Sequence, residues 1–152
     1  MRKIFVLFTV LCCLFSLAAC DKASTEPTHE DTEGMKMNVQ IGEATFTATL
    51  EDNAATREFI EMMKEGPISV NMSDYSGFEK VGAIGERLTA NDSQITTAEG
   101  DIVLYGGDQI VMFYGSNTWS YTKIGRIDDL SGWKEALGSG SITAVFSLAD
   151  AE

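Results

Sequence analysis

Few side chains in this sequence can do chemistry. Histidine occurs once, at His29, and cysteine three times, at Cys12, Cys13 and Cys20. Cys12 and Cys13 lie inside an apolar run near the N-terminus, and Cys20 ends the string Leu17-Ala18-Ala19-Cys20. Beyond Cys20 there is no thiol, and beyond His29 no imidazole. A Ser–His–Asp triad, Cys–His catalysis and zinc held by His or thiolate are therefore excluded from the body of the chain. "GAIGER" at Gly82–Arg87 is too short for a dinucleotide fingerprint, and no phosphate loop of the GxxxxGK[ST] type is present. "DYSGFE" at Asp74–Glu79 lacks the alternating oxygen ligands of a calcium loop. No metal site and no cofactor is expected.

The remaining candidates are aromatic rings and arginines. "QIVMFYGSNTWSY" places Phe113, Tyr114, Trp119 and Tyr121 close together. Strand alternation puts Phe113 and Tyr114 on opposite faces, whereas Trp119 and Tyr121 share one face beside the polar "GSNT". Amphipathic rings next to a loop make a stacking platform for a ligand. Arg87 and Arg126 are the two arginines placed to line a site, since Arg57 falls among the solvent-facing positions of a helix. Tyr75 and Phe78, in a turn with Gly77, are further candidates.

The elements that must position these groups can be read from periodicity. "KMNVQIG" and "ATFTATL" alternate apolar and polar residues about Gly42-Glu43, the pattern of a tight hairpin. "EDNAATREFIEMMKEGP" changes to helical spacing, with Asp52 or Asn53 to cap it and Gly66-Pro67 to end it. "ISVNMS" returns to strand, and a short strand is expected near Lys80–Ile84 in the turn-rich stretch that follows. "DIVLY" and "QIVMFY" flank the turn "GGD" and are apolar on both faces, so both faces must be covered. "WSYTKIGRI" is a further strand, "DDLSGWKEALG" a short helix capped by Asp129 or Ser131, and "SITAVFSL" the closing strand. About eight strands and two helices, with no recurring strand–helix–strand rhythm, predict a mainly β closed antiparallel barrel over residues 35–152.

The N-terminus reads as an address. Arg2 and Lys3 precede an apolar run from Ile4 to Leu17, too short for a membrane span, and the run ends at the lipobox "LAAC". Residues 1–19 are expected to be a lipoprotein signal peptide, with Cys20 the lipidated first residue of the mature chain. Residues 20–34, "CDKASTEPTHEDTEG", are polar and acidic, too poor in apolar groups to fold, and are read as a tether. Loss of Arg2 and Lys3 would take the formal net charge from −12 to −14. Such a chain repels nucleic acid and anionic headgroups, so membrane attachment falls to the lipid on Cys20. The expected location is the cell envelope, outside the cytoplasm and lipid-anchored.

The motifs "ATLEDNAATREFIEMM", "VNMSDYSGFEKVG", "GDIVLYGGDQIVMFYG" and "YTKIGRIDD" together resemble a bacterial family of cyclophilin-like domains, over about Val39–Phe146. The resemblance implies a closed antiparallel barrel of about eight strands with two helices over its ends. Prolyl isomerases of the cyclophilin type carry an Arg in "FHRV", a "QGGD" segment and a pocket His. This chain has no "FHR", and its "YGGD" is a turn without the Gln. The leading expectation is a non-catalytic module binding a peptide or small ligand. Two alternatives stay open: a divergent peptidyl-prolyl isomerase acting on secreted proteins, and a docking module for a flavodoxin-like or other partner.

Overall fold

The computed structural model describes Thr32 and residues 34–150. The signal, Cys20 and most of the tether lie outside the described residues. Those described form nine strands and two helices: β1 (Lys36–Ile41), β2 (Ala44–Leu50), α1 (Ala54–Glu65), β3 (Ile68–Tyr75), β4 (Glu79–Ala83), β5 (Ser93–Thr96), β6 (Asp101–Tyr105), β7 (Gln109–Phe113), β8 (Thr118–Ile127), α2 (Trp133–Leu137) and β9 (Ile142–Leu148).

Eight of the strands close a barrel, in the order β2-β1-β9-β3-β4-β7-β6-β8 and back to β2 through Ala48–Leu50 against Gly125–Ile127, with every neighbouring pair antiparallel. Closure removes the open edges a sheet would otherwise expose. The seam depends on Gly125, where a Cβ would lie 2.6 Å from the Thr49 carbonyl oxygen. The ninth strand, β5, was not anticipated. It pairs with the Thr118–Tyr121 end of β8, outside the ring. Thus β8 serves two partners, the barrel with its C-terminal half and a two-stranded ribbon with its N-terminal end.

Alternation fills the barrel. Met37 and Val39, Phe46 and Ala48, Val70 and Met72, Ile102 and Leu104, Ile110 and Met112, Ile124, and Ala144 and Phe146 are all buried in one cluster drawn from the strands around the ring. Helix α1 starts at Asn53, whose Oδ1 accepts from Thr56 N at 3.0 Å, and stops at Gly66 with Pro67 behind it. Its Ala55, Phe59, Ile60 and Met63 are buried, and Phe59 meets Phe146 edge-on at 5.6 Å. Trp133 of α2 is fully buried against Phe46 and donates from Nε1 to the Phe113 carbonyl at 2.9 Å. The expected cap of α2 is not made. Gly132, in a left-handed conformation at φ 79°, occupies the cap position, and the Asp129 carboxylate instead accepts from Ser131 N, forming a turn before the helix.

A charged group enters the apolar ring. Lys80 faces inward on β4, opposite Met112, and is fully buried. Its Nζ donates to Asp74 at 2.8 Å and to the Gly138 and Gly140 carbonyls at 3.0 and 2.7 Å. Tyr114 donates to the same Asp74 oxygen, and its ring lies 5.4 Å from the ammonium. This cluster ties β3, β4 and the α2–β9 loop together, with each buried polar group partnered.

Candidate functional site

The strands that are apolar on both faces explain where a site can form. Their inward side chains fill the barrel, and Val103, Val111 and Phe113 point outward, yet are almost fully buried. They are covered by Tyr121 of β8, with Phe78, Val81 and Ile95 packed alongside. Phe78 stacks on Phe113 at 6.5 Å, and Tyr121 meets Phe113 edge-on at 5.6 Å. The cover is therefore the β3–β4 turn and the β5–β8 ribbon, not a helix.

Between these two covers lies a groove of about 410 Å³. Val81 and Val111 form its apolar base, Tyr75 and Tyr105 stand at the ends of β3 and β6, and Trp119 and Tyr121 come from β8. Glu79, Gln109 and Asn117 supply polar groups. The outer rings are open to solvent, Trp119 by 55 %, Tyr75 by 58 % and Tyr105 by 42 %, whereas Tyr121 is buried. Large apolar rings left this exposed around a concavity are unusual on a soluble surface and mark a place for contact.

Glu79 is the group with unusual electrostatics. The residue is 6 % exposed, and its Oε2 has no hydrogen-bond partner. Burial pushes the carboxyl up to about 7, and a hydrogen bond from the Tyr121 hydroxyl offsets part of that rise. Burial also raises Tyr121. A relay fixes this pair. Thr97 Oγ1 accepts from Asn117 N at 3.0 Å, and Asn117 Nδ2 donates to the Tyr121 hydroxyl at 2.9 Å. The loop before β8 is further pinned by Ser116 donating to the Thr97 carbonyl at 2.7 Å. The carboxyl is thus held in place beside an open groove, with one oxygen atom unused.

The residues singled out from sequence fall in different places. Trp119 and Tyr121 line the groove together, as their shared face requires. Phe113 is fully buried beneath Tyr121. Tyr114 projects from the other side of β7 and binds Asp74, which, after burial, raises its hydroxyl to about 12. Arg87 braces the β6–β7 turn, donating to the Gly106 carbonyl at 2.6 Å and to Asp108 at 3.1 Å. Arg126 pairs with Asp101 at 3.5 Å. Neither arginine lines the groove. The sequence reading missed Glu79, Tyr105, Gln109 and Asn117. The available signal was Glu79 itself, which alternates with Val81 on the outward face of a strand beginning at a tight turn. Among the described residues, no group of three or more His, Cys, Asp or Glu side chains could hold a metal ion.

A closed antiparallel barrel with a lateral aromatic groove defines the class. The model of the Cyclophilin-like family matches residues 39–147, and the chain belongs to that family. A hypothetical protein from Archaeoglobus fulgidus, solved in solution, is similar in fold: its TM-score is 0.53 at 17 % identity, covering 78 % of this chain and 96 % of that one. No curated protein matches.

Proposed function

We propose that the protein is an extracytoplasmic lipoprotein, acylated at Cys20, whose cyclophilin-like barrel binds a peptide or small ligand in the groove without chemistry. The observation that carries the binding reading is a concavity of about 410 Å³ with solvent-open Trp119, Tyr75 and Tyr105 beside a buried carboxyl oxygen that has no partner. That size suits small-molecule sites. Binding is favoured over prolyl isomerisation because Arg87 and Arg126, the candidate donors for an imide nitrogen, are engaged by Asp108 and Asp101 away from the groove. Attachment is supported by the apolar run ending in "LAAC" and by the acidic stretch after it.

Two measurements test the halves separately. Membrane fractionation should find the native protein with the membrane and Cys20→Ser in the soluble fraction; a Cys20→Ser chain that stays with the membrane refutes acylation there. Amide chemical-shift mapping with a library of small ligands and short peptides should move resonances of residues 75–81, 105–111 and 117–121, and Trp119→Ala should abolish those shifts. Shifts confined to other faces would remove the groove from consideration.

A further inference from the structure

The binding reading leaves the chemistry of the ligand open, and the polar inventory of the groove narrows it. Among the described residues, Glu79 is the groove's only carboxylate, and neither Lys nor Arg lines it. Lys80, next in sequence, points through the sheet into the barrel and is consumed by Asp74 and two carbonyls. The other titratable groups lining the groove with the carboxyl are phenols: Tyr75 from β3, Tyr105 from β6 and Tyr121 from β8; across the sheet, Glu79 in turn raises Tyr114, just past β7. An acid thus stands among electron-rich rings with no cation to neutralise it. Aromatic faces attract cations electrostatically, and a fixed carboxylate attracts them more strongly.

The unused valence is specific. Tyr121 stands beside the carboxyl, Asn117 donates to the Tyr121 hydroxyl, and Glu79 Oε2 is buried without a partner, so at most one carboxyl oxygen faces the groove. One reachable acceptor suits a compact ammonium that presents its N–H groups singly. It does not suit a guanidinium fork, which spreads over two oxygens. A quaternary ammonium has no N–H to give the carboxylate. A divalent cation of the calcium type asks for six or more oxygen ligands, and one carboxylate cannot supply them. The formal net charge of −12 adds a field that gathers cations.

Resting on the binding reading, we infer that the groove takes a protonated primary amine, its ammonium paired with the Glu79 carboxylate and its aliphatic stem lying against Trp119, Tyr105 and Tyr75. The amine is either a free alkylamine or the end of a lysine side chain in a peptide. An ammonium beside Glu79 favours the ionised carboxyl, so binding below pH 7 displaces a proton, and binding at pH 8 does not.

The test uses four probes on the full chain, followed by amide chemical shifts and calorimetry: n-butylamine, Nα-acetyl-lysine methylamide, n-butanol, and an acetyl-Gly-Pro-Gly amide. At pH 8 the two amines are expected to bind in the groove at least about tenfold more tightly than n-butanol, the order expected of a hydrogen bond to a charged group. Glu79→Gln should erase that advantage, and the advantage should shrink at pH 5. Tighter binding of the lysine derivative assigns a peptide source, and tighter binding of butylamine a free amine. Equal affinity for n-butanol, stronger binding of the proline peptide in the same groove, or an amine advantage that survives Glu79→Gln would overturn the amine inference and leave a binding groove standing. Absence of groove shifts with all four probes would overturn both.

Discussion

Replacing Glu79 with Gln should make the protein more stable at pH 8 and leave it almost unchanged at pH 4.5. The carboxyl moves from 4.5 in the unfolded chain to about 7 in the folded one, because ionising it means placing charge where water is largely excluded. At about 1.4 kcal/mol per tenfold, that difference corresponds to about 3 kcal/mol. The groove mouth is open to solvent, so about 2–3 kcal/mol is the working figure. The direction follows from proton counts. Between pH 4.5 and 7 the native state holds a proton that the unfolded chain has released, so stability falls as pH rises through that window and levels off above it. Gln has the same shape and never ionises. Subtracting the two urea-unfolding profiles cancels every other titrating group common to both proteins. The difference should be near zero at pH 4.5, grow to about 2–3 kcal/mol in favour of Glu79→Gln by pH 8, and correspond to about 10 °C in Tm for a domain of this size. A flat difference across the window, or a variant less stable than the parent at pH 8, would refute the burial argument.

Other perturbations probe the frame. Asp74→Ala leaves the fully buried Lys80 ammonium with only the Gly138 and Gly140 carbonyls, and should cost about 3–5 kcal/mol in urea unfolding. Gly125→Ala sets a methyl against the Thr49 carbonyl at the closing seam, where backbone must move, and should cost about 1–3 kcal/mol or more. Asn53→Ala removes the cap of α1 together with the Nδ2 bond to the Lys123 carbonyl, and should lower stability by about 1–2 kcal/mol. Trp119→Ala, at a largely exposed position, should change stability by no more than about 0.5 kcal/mol, so any loss of ligand binding reports on the groove itself.

Local patterns carried most of the architecture. Helix α1 was legible because its spacing, cap and stop agree within one segment, and Gly42-Glu43 because a tight hairpin demands a residue of positive φ, here Gly42 at 60°. The doubly apolar β6 and β7 announced cover on both faces, but not its source, since the β5–β8 ribbon is assembled from distant segments. Strand β5 was missed because Ser93–Thr96 is short, polar and mostly exposed, its pairing to β8 being the only thing that makes it a strand. The α2 cap was misassigned because Asp129 and Ser131 satisfy each other first. For the site, the shared face of Trp119 and Tyr121 follows from alternation alone. The environment of Glu79 does not, because its burial is made by Tyr121 and the strands beneath. Nor could the acids that hold Arg87 and Arg126 be known before the strands were paired.

The ring order has a directional consequence. Counted around the eight barrel strands, β1 and β7 stand four places apart, on opposite walls. The described chain enters through β1, and the groove opens on the wall built from β4, β7, β6 and β8. Anything that fastens the chain by its N-terminus pulls on the back of the barrel. The aromatic mouth lies on the wall opposite that attachment, so the two do not compete for the same face.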